Sequence, residues 1–354
     1  MPSLFAKQLL HWHTNNPRPL PWDNGPRDPY HIWISEIIMQ QTRIAQGTSY
    51  YLKFIHRFPN VHSLGNAHLD EVLKYWQGLG YYTRARNLHK AAQYIIEHHQ
   101  GQFPDSYEAL LQLPGVGPYS AAAIASFAYG LPYPVVDGNV KRVVARYAGI
   151  TTSIDDTATH EAIRELAGKY MKGVSPGDFN QAIMNFGALV CKPKNPDCPT
   201  CVFNKNCIAR KENLVDAIPV RSKKKSNNLR YFHFIILRWK GKFLLVRRQQ
   251  KDIWQGLYAP PVIERKNKNN LTRSQVDQLI TTITGHNVYE VVSVSPPQQQ
   301  LLSHQTIVGR FHDVNLLYAP QKKEEQYAWV NHKTIHHYGK PKIVVSMLEK
   351  NLAT

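Results

Sequence analysis

All four cysteines of the 354-residue sequence lie between residues 191 and 207. Their spacing, C-x6-C-x2-C-x5-C, places four thiols in one short loop. Because thiolate is a preferred ligand of both zinc and iron–sulfur clusters, the loop predicts a metal centre, and the spacing alone does not choose between the two metals. The predicted ligands are Cys191, Cys198, Cys201 and Cys207.

The stretch LPGVGPYS, residues 113–120, combines two glycines and two prolines ahead of an alanine-rich run. Asp105 or Ser106 can cap a preceding helix, and the second proline suits the first turn of the next one. Glycines at 115 and 117 let backbone N–H groups approach a phosphate closely, and the following helix adds its positive end. The pattern predicts a helix-hairpin-helix that holds a phosphate without reading sequence, with a purely structural helical hairpin as the alternative.

The charge balance indicates a polyanionic partner. Lys and Arg number 43 and Asp and Glu 25, which gives a net charge of +18, and neutralised phosphates release counterions, so nucleic acid is favoured. An anionic membrane surface is the alternative, but no apolar run approaches the roughly 18 residues needed to span a bilayer, and the first residues lack a signal-peptide pattern. We therefore expect an intracellular, cytoplasmic monomer, associated with the nucleoid in a bacterium, and no disulfides.

Two regions of different periodicity must position these residues. Residues 1–211 carry apolar side chains at helical spacing and predict a mostly α region. Residues 212–229 are basic and polar without apolar periodicity, which predicts a linker. Residues 230–354 begin with alternating β-branched and aromatic residues around a KGK turn, which predicts a separate domain rich in β-structure. The length of the chain also favours at least two domains.

These motifs, in their present order, carry a family resemblance. The segment WISEIIMQQT (33–42), the hairpin, VDGNVKRV (136–143) and the cysteine loop resemble helix-hairpin-helix DNA glycosylases related to endonuclease III. The segment QGLGYYTRARNL (77–88) and the second domain are similar to those of adenine DNA glycosylases, and the resemblance covers nearly the whole chain. It implies a helix-hairpin-helix glycosylase fold with a [4Fe–4S] loop, followed by an α+β Nudix-like domain.

The function that the resemblance implies is base excision repair. The enzyme would remove adenine from A·8-oxoguanine and A·G mispairs in double-stranded DNA. A glycosylase for another mismatch, such as thymine in a G·T pair, is one alternative. A non-catalytic DNA-binding or nucleotide-sensing module is the other, and excision assays on duplexes carrying each mispair would separate all three.

Breaking an N-glycosidic bond calls for two carboxylates with different roles. Glu36 lies in an apolar helical pattern, where burial would raise its pKa and let it act as an acid; an exposed helix glutamate is the alternative. Asp137 stands at a helix start, where aspartate is often only an N-cap. The resemblance implies that Glu36 protonates adenine and helps to activate water, that Asp137 stabilises the cationic sugar, and that Asn139 supports Asp137.

Tyr119 distinguishes this chain from bifunctional glycosylases. In the relatives of endonuclease III that also cut the strand, the matching hairpin position carries a lysine, which forms a Schiff base with the sugar. A phenol cannot form one, so Tyr119 implies a monofunctional enzyme that leaves an abasic site. The alternative is a tyrosine that merely covers the hairpin.

The resemblance also places residues at the DNA, because adenine must leave the stack before it reacts. For Leu79 and Tyr81, ordinary helix packing is the alternative. The residue that follows Trp22 departs from the family pattern, as does the loop length there, so contacts from that loop are left open. The residues implied to contact DNA are Gln41, Thr42, Leu79, Tyr81, Gly115, Gly117 and Ser120, and those implied to line the adenine pocket are Arg18, Trp22 and Gln181.

The second domain resembles the Nudix-like domain with which adenine glycosylases recognise 8-oxoguanine. A working Nudix hydrolase needs a glutamate-rich metal-binding helix, and no paired glutamates stand in that register here, so nucleotide hydrolysis is not expected. Ser303 and His304 match the family loop that contacts the oxidised base, although Leu302 replaces the commoner phenylalanine. Without the resemblance, this pair would be interpreted as ordinary polar residues of a loop.

Overall fold

The computed structural model describes residues 1–20, 27–222 and 228–352. Contacts divide the chain into two units, of which the first comprises residues 1–66 and 90–223 and the second residues 67–89 and 224–354. Every helix in the described ranges is too short or too polar to cross a bilayer.

The first unit is helical. Its core gathers α1, α9, α10 and α11 around buried side chains that include Phe5, Val140, Ile163 and Phe179. Two of its helices stop at glycines in the left-handed conformation, Gly130 after α8 and Gly149 after α9, where a side chain would be strained. The helices from the start of the chain to residue 211 are α1 Leu4–Asn15, α2 Pro29–Met39, α3 Ile44–Arg57, α4 Val61–Gly65, α5 Leu69–Tyr75, α6 Thr83–His99, α7 Tyr107–Leu111, α8 Pro118–Tyr129, α9 Gly138–Ala148, α10 Thr157–Met171, α11 Pro176–Leu189 and α12 Ile208–Lys211.

The second unit is built on one mixed sheet. Its elements are β1 Asn228–Trp239, β2 Lys242–Arg247, β3 Tyr258–Ala259, β4 Val262–Arg265, α13 Arg273–Thr284, β5 Tyr289–Val294, β6 Gln298–Leu301, β7 Gln305–Leu316, β8 Tyr327–Val330, a 3-10 turn Ile335–His337 and α14 Lys342–Leu352. The strand order is β3-β2-β1-β7-β5, and β4, β6 and β8 pair with β1, β7 and β2. Strands β1 and β7 are parallel, and the other pairs are antiparallel.

A capping box starts α13: the Thr272 hydroxyl accepts from the backbone N–H of Gln275, whose side chain accepts from the backbone of Thr272. The helix packs its apolar side, including Ile280, against Ile235 of β1 and Val314 of β7. The expected fold class, a mostly helical region followed by an α+β domain, is therefore confirmed.

The domain boundaries at residues 211 and 229 remain a prediction, and the contacts add details that the sequence did not suggest. Residues 67–89 group with the sheet and not with the helices around them in the sequence. Within the predicted linker, Ile218 is 1% exposed in the helical core, and β1 begins at Asn228. Hydrophobic burial thus fixes the part of the linker around Ile218 to the first unit.

Candidate active site

The hairpin at residues 112–117 joins two helices as the sequence predicts. Ser106 caps α7, and its hydroxyl accepts from the Ala109 N–H at 3.3 Å. Gly115 has a φ of +78°, a conformation that favours glycine. Gly117 is the N-cap of α8, and a Cβ added there would meet nothing within 4 Å. The positive end of α8 is consequently open to an anion such as phosphate.

Glu36 and Tyr119 meet beside this hairpin. Glu36 lies on α2 and is half-buried, and the hydroxyl of Tyr119, in the first turn of α8, donates to Glu36 Oε2 at 3.0 Å. Burial, followed by the charges of Glu36 and Asp137, raises the pKa of the Tyr119 phenol well above 10. The phenol therefore remains a neutral donor at physiological pH, and both carboxylates are close enough to act on it electrostatically.

A second hydrogen bond joins α2 to α8. Gln40 Nε2 donates to the Ser120 hydroxyl at 3.1 Å, and Ser120 is only 2% exposed. The Ser120 side chain, which the resemblance implied at the DNA, thus lies inside the helix packing in this structure. Any contact that Ser120 makes with a ligand outside the protein would have to use its backbone.

Asp137 is both an N-cap and a member of a partly buried polar cluster. Its Oδ1 accepts from the backbone N–H groups of Asn139 and Val140 at 2.8 and 2.7 Å. Its Oδ2 accepts from Asn139 Nδ2 at 2.7 Å. The capping role that the sequence offered as an alternative is real, and it fixes the carboxylate at the start of α9.

Arg142 extends this cluster and was not singled out from the sequence. It is 4% exposed, and its Nη2 donates to Asn139 Oδ1 at 2.8 Å and to the Gly187 carbonyl at 2.7 Å. Its Nε donates to the Cys191 carbonyl at 2.7 Å. Arg142 therefore connects Asp137, through Asn139, to the backbone of the cysteine loop. The sequence signal that could have identified Arg142 is its place among the buried valines of VKRV, because a buried arginine needs hydrogen-bond partners.

Helices α9 and α11 approach closely at this cluster. A Cβ added to Gly187 would lie 2.7 Å from the Cβ of Asn139 and 3.1 Å from its carbonyl oxygen. Only glycine fits at these distances, because the neighbouring atoms of Asn139 include backbone atoms that cannot move aside. Gly187 thus allows α11 to pack directly against α9 at Asn139.

The four cysteines line one cavity, together with Arg146 and Arg210. Cys201 Sγ accepts from the Phe203 N–H at 3.4 Å, and Cys191 Sγ accepts from Arg146 Nη1 at 3.5 Å. Burial raises the pKa of the Cys201 thiol to about 11. Four thiols with N–H donors aimed at two sulfurs form a donor set that suits an iron–sulfur cluster. In the described part of the chain, no three His, Cys, Asp or Glu side chains gather as the ligands of a metal ion would.

Leu79 and Tyr81 lie in the second unit, between α5 and α6. Leu79 is 9% exposed and belongs to the core, whereas Tyr81 is 41% exposed. The Tyr81 hydroxyl donates to the Ser303 hydroxyl. A leucine wedge at the DNA would therefore require that Leu79 leave its present packing, while Tyr81 is already accessible.

Two of the predicted DNA-contacting residues have strained backbones. Gln41 has a φ of 57° and Tyr81 a φ of 48°, a region that bulky side chains seldom adopt. Such conformations cost about 1–3 kcal/mol each and cluster at functional sites. Gln41 is exposed, and the Thr42 hydroxyl beside it bonds the Gln40 carbonyl at 3.4 Å.

Ser303 and His304 occupy the tip of a hairpin in the second unit. Leu301 of β6 pairs with Thr306 of β7, and the Leu302 N–H donates to the Gln305 carbonyl at 2.9 Å. The two side chains between these residues are exposed. The turn therefore holds both residues at the surface, where the Ser303 hydroxyl accepts from the Tyr81 hydroxyl.

The residues implied at the adenine pocket are described only in part. Arg18 and Gln181 are half-buried, and Gln181 Nε2 donates to Asn185 Oδ1 at 3.3 Å. Trp22 and the departing loop after it lie outside the described residues. Asn180, the neighbour of Gln181, is fully buried and bonds Val135 and Tyr133, so it holds the chain just before Asp137.

Comparisons with known proteins agree with this architecture. Residues 34–169 match the family described as HhH-GPD superfamily base excision DNA repair protein, and residues 233–350 match the NUDIX domain. Among solved structures, a thermostable thymine-DNA glycosylase has a TM-score of 0.55 and 32% identity, over 59% of this chain and 96% of that one. A non-covalent endonuclease III–DNA complex has a TM-score of 0.51 at 23% identity, over 59% of this chain and 94% of that one, and shows the fold.

The fold and the site thus define a helix-hairpin-helix DNA glycosylase that carries a C-terminal Nudix domain. The adenine DNA glycosylase of Buchnera aphidicola subsp. Acyrthosiphon pisum is 34% identical over 348 residues, which cover 98% of this chain and 97% of that protein. The chain belongs to the adenine DNA glycosylase family. It is an enzyme of base excision repair that hydrolyses N-glycosyl bonds, with DNA as its partner.

Proposed function

We propose that this enzyme is monofunctional and removes adenine from A·8-oxoguanine and A·G mispairs in double-stranded DNA. The observation that carries the chemistry is the hydrogen bond between Tyr119 and Glu36 at the hairpin, with Asp137 within electrostatic reach of the same phenol. Two carboxylates with different surroundings, both close to one neutral donor, are what hydrolysis of a glycosidic bond needs.

In the proposed reaction Glu36 works as a general acid and then as a general base. Its carboxylic acid gives a proton to a ring nitrogen of adenine while the bond between the base and the sugar breaks, and the bonding electrons leave with the base. Asp137, held by its cap hydrogen bonds, stabilises the positive charge that develops on the sugar. The Glu36 carboxylate then takes a proton from water as the hydroxide bonds to the sugar carbon, which restores the acid and leaves an abasic site.

Asn139 and Arg142 support this chemistry without taking part in proton transfer. The amide of Asn139 fixes Asp137 Oδ2, and Arg142 fixes the amide. Arg18, Trp22 and Gln181 are proposed to line the adenine pocket. Tyr119 supplies no amine, so strand cleavage through a Schiff base is not part of the reaction.

The decisive experiment is an excision assay on duplexes that carry A·8-oxoguanine, A·G, G·T and A·T pairs. Strand breaks should appear in the first two duplexes only after alkali treatment, and borohydride should trap no covalent complex. Excision of thymine from G·T in preference to adenine would overturn the substrate assignment. Efficient cleavage without alkali would overturn the monofunctional one.

DNA binding is proposed to use the hairpin and the two residues with strained backbones, Gln41 and Tyr81. Gly115 and Gly117, with the backbone of Ser120, offer N–H groups to a phosphate at the start of α8. The proposed contacts with the flipped-out region are Gln41, Thr42, Leu79 and Tyr81. Tyr81 is 41% exposed and carries an aromatic ring of the kind that stacks on bases, and Gln41 is exposed as well.

The four cysteines are proposed to hold a [4Fe–4S] cluster. The thiols share one cavity, and four thiolates from one short loop are the ligand set that such a cluster takes. When bound, the cluster supplies structural cross-linking of the loop. Cys191 would tie that cross-link to Arg142 through its carbonyl.

Purified protein is expected to contain about four irons and four sulfides per chain. Replacement of Cys198 by serine should lower the iron content and the melting temperature together, because the loop loses one ligand. Metal analysis and thermal unfolding measure both effects without an activity assay. Stoichiometric zinc without sulfide would contradict the cluster.

The second domain is proposed to recognise 8-oxoguanine through Ser303 and His304. The oxidised base differs from guanine by an N7–H donor and a carbonyl at C8, and these side chains offer both acceptors and donors. Because both lie exposed at the tip of the β6–β7 turn, they can reach a ligand without rearranging the sheet.

Replacing both Ser303 and His304 with alanine is expected to weaken recognition of A·8-oxoguanine by about 1–3 kcal/mol, because polar partners go unmet. Excision from A·G should fall much less, since guanine never offered those groups. Single-turnover rates and binding at one salt concentration measure both duplexes, because phosphate contacts make affinity salt-dependent. Equal losses on the two substrates would move the sensing role elsewhere.

A further inference from the structure

Asp70, an acidic residue of α5, has partners on two adjacent strands of the sheet in the second unit. Its Oδ1 accepts from Arg247 Nη2 at 2.8 Å, and its Oδ2 accepts from the Tyr258 hydroxyl at 3.2 Å. Arg247 and Tyr258 are cross-strand partners in β2 and β3. Both oxygens of the carboxylate are therefore engaged, and the side chain is 23% exposed.

The environment of this carboxylate is partly shielded from water. Burial, and next the charge of Asp70, raises the pKa of the Tyr258 phenol to about 12, so the phenol stays a donor to Asp70. A charge-assisted hydrogen bond of this kind is stronger than one between neutral groups. Asp70 thus fixes the start of the 67–89 segment to the sheet through one charged donor, Arg247, and one neutral donor, Tyr258.

The rest of the segment is attached to the same unit mainly through backbone groups. The Lys340 N–H donates to Gln77 Oε1 at 2.9 Å, the Tyr82 hydroxyl donates to the Lys340 carbonyl at 3.3 Å, and Arg86 Nη1 donates to the Gln255 carbonyl at 2.8 Å. Near Asp70 the packing is close, because a Cβ added to Gly339 would lie 3.3 Å from the Leu73 backbone. Leu79 and Tyr81 lie between these attachment points.

We propose that Asp70 is a positioning residue for discrimination of the base opposite adenine. This inference rests on the proposed function, because it takes Tyr81 and Ser303 as the groups that read the lesion. These two hydroxyls, from distant parts of the sequence, are hydrogen-bonded to each other in the second unit. The alignment of these two hydroxyls depends on how the 67–89 segment is fixed to the sheet. Asp70 fixes that segment through its ion pair with Arg247. Misplacement of a recognition group by about 1 Å can cost a large factor in rate.

The test compares Asp70→Asn, Arg247→Gln and the double variant in single-turnover excision from A·8-oxoguanine and A·G at one salt concentration. Each single change is expected to lower the ratio of the two rates by about threefold to tenfold, with A·G excision within about twofold of the parent enzyme. The double variant should lose no more than the larger single effect, because the two side chains act as one pair. Tyr258→Phe, a milder change, should lower the ratio in the same direction.

A matched control exists in the same sheet. Arg238 and Asp313 form a bidentate, partly buried ion pair at 2.6 and 2.8 Å, and it involves no residue of the 67–89 segment. Asp313→Asn should reduce the melting temperature comparably and leave the rate ratio unchanged. An unchanged ratio in Asp70→Asn and Tyr258→Phe, or an equal loss in Asp313→Asn, would overturn the proposal.

Failure of the positioning role can be told apart from failure of the proposed function. If the parent enzyme prefers A·8-oxoguanine and Ser303→Ala reduces that preference while Asp70→Asn does not, only the role of Asp70 is overturned. If Ser303→Ala has no effect on the ratio, the assignment of Ser303 fails. In the Ser303→Ala background, Asp70→Asn is expected to add less than it does in the parent, and full additivity would count against the proposal.

Discussion

Replacing Glu36 with glutamine is expected to slow adenine excision by about a hundred- to ten-thousand-fold, the usual contribution of general acid–base catalysis. Glutamine has nearly the shape of glutamate and keeps an oxygen that can accept from the Tyr119 hydroxyl. It can neither give a proton to adenine nor take one from water. The measurement is the single-turnover rate on an A·8-oxoguanine duplex with enzyme in excess, together with binding to the same duplex, which should persist.

Ser120→Ala is the control for this experiment. It removes the neighbouring hydrogen bond between α2 and α8, so it perturbs the same helix contact and leaves the carboxyl group in place. We expect it to retain most of the excision rate. A Glu36→Gln variant that turned over at the rate of the parent enzyme, or a Ser120→Ala variant as slow as Glu36→Gln, would remove Glu36 from the mechanism.

The pKa of Tyr119 limits how the pH profile can be interpreted. Because burial and two carboxylates raise that pKa well above 10 in the folded enzyme, the phenol does not ionise between pH 5 and 10. Any loss of activity between pH 5 and 10 is therefore caused by the ionisation of other groups. Above about pH 10 a tyrosine of the unfolded chain ionises while Tyr119 stays neutral, so its contribution to folding stability is lost as the pH rises.

The local features of the site could be predicted from the sequence because short-range chemistry determines them. Ser106 caps α7, and Gly115 adopts the positive φ that the turn requires. The four cysteines line one cavity because one short loop carries them all. For Asp137, the sequence set a capping role against a catalytic one, and the structure shows that the cap is made. The proposed catalytic role therefore needs a test that keeps the cap.

The long-range features could not be predicted in the same way. Nothing in the spacing indicates that Arg142 reaches both Asn139 and the Cys191 carbonyl, because that depends on the distance between α9 and the cysteine loop. The attachment of residues 67–89 to the sheet likewise joins residues 177 positions apart. The burial of Leu79 and Ser120 depends on packing against other elements. A single sequence shows which side chains are available and not which ones meet.

The second large effect is expected for Asp137→Asn, which should slow excision by about a hundred- to thousand-fold, as loss of a preorganised electrostatic group does. Asparagine is as good an N-cap as aspartate, so α9 should still begin at the same residue. Its amide can no longer stabilise a cationic sugar. Single-turnover excision from A·8-oxoguanine measures the loss, and thermal unfolding checks that the fold is kept.

One side effect of Asp137→Asn must be separated from the loss of charge. The new amide would face Asn139 Nδ2, a donor that now bonds Asp137 Oδ2 at 2.7 Å, and the unmade hydrogen bond should cost about 1–3 kcal/mol of stability. Asn139→Ala breaks the same side-chain bond and keeps the charge of Asp137, so it should be destabilised to a similar degree yet excise adenine at least tenfold faster than Asp137→Asn. Both variants lose the bond between Asp137 and Asn139, Asn139→Ala also loses the bond from Arg142, and only Asp137→Asn loses the charge. Equal excision rates would therefore show that Asp137 serves the fold of α9 and that the sugar cation is stabilised by another group.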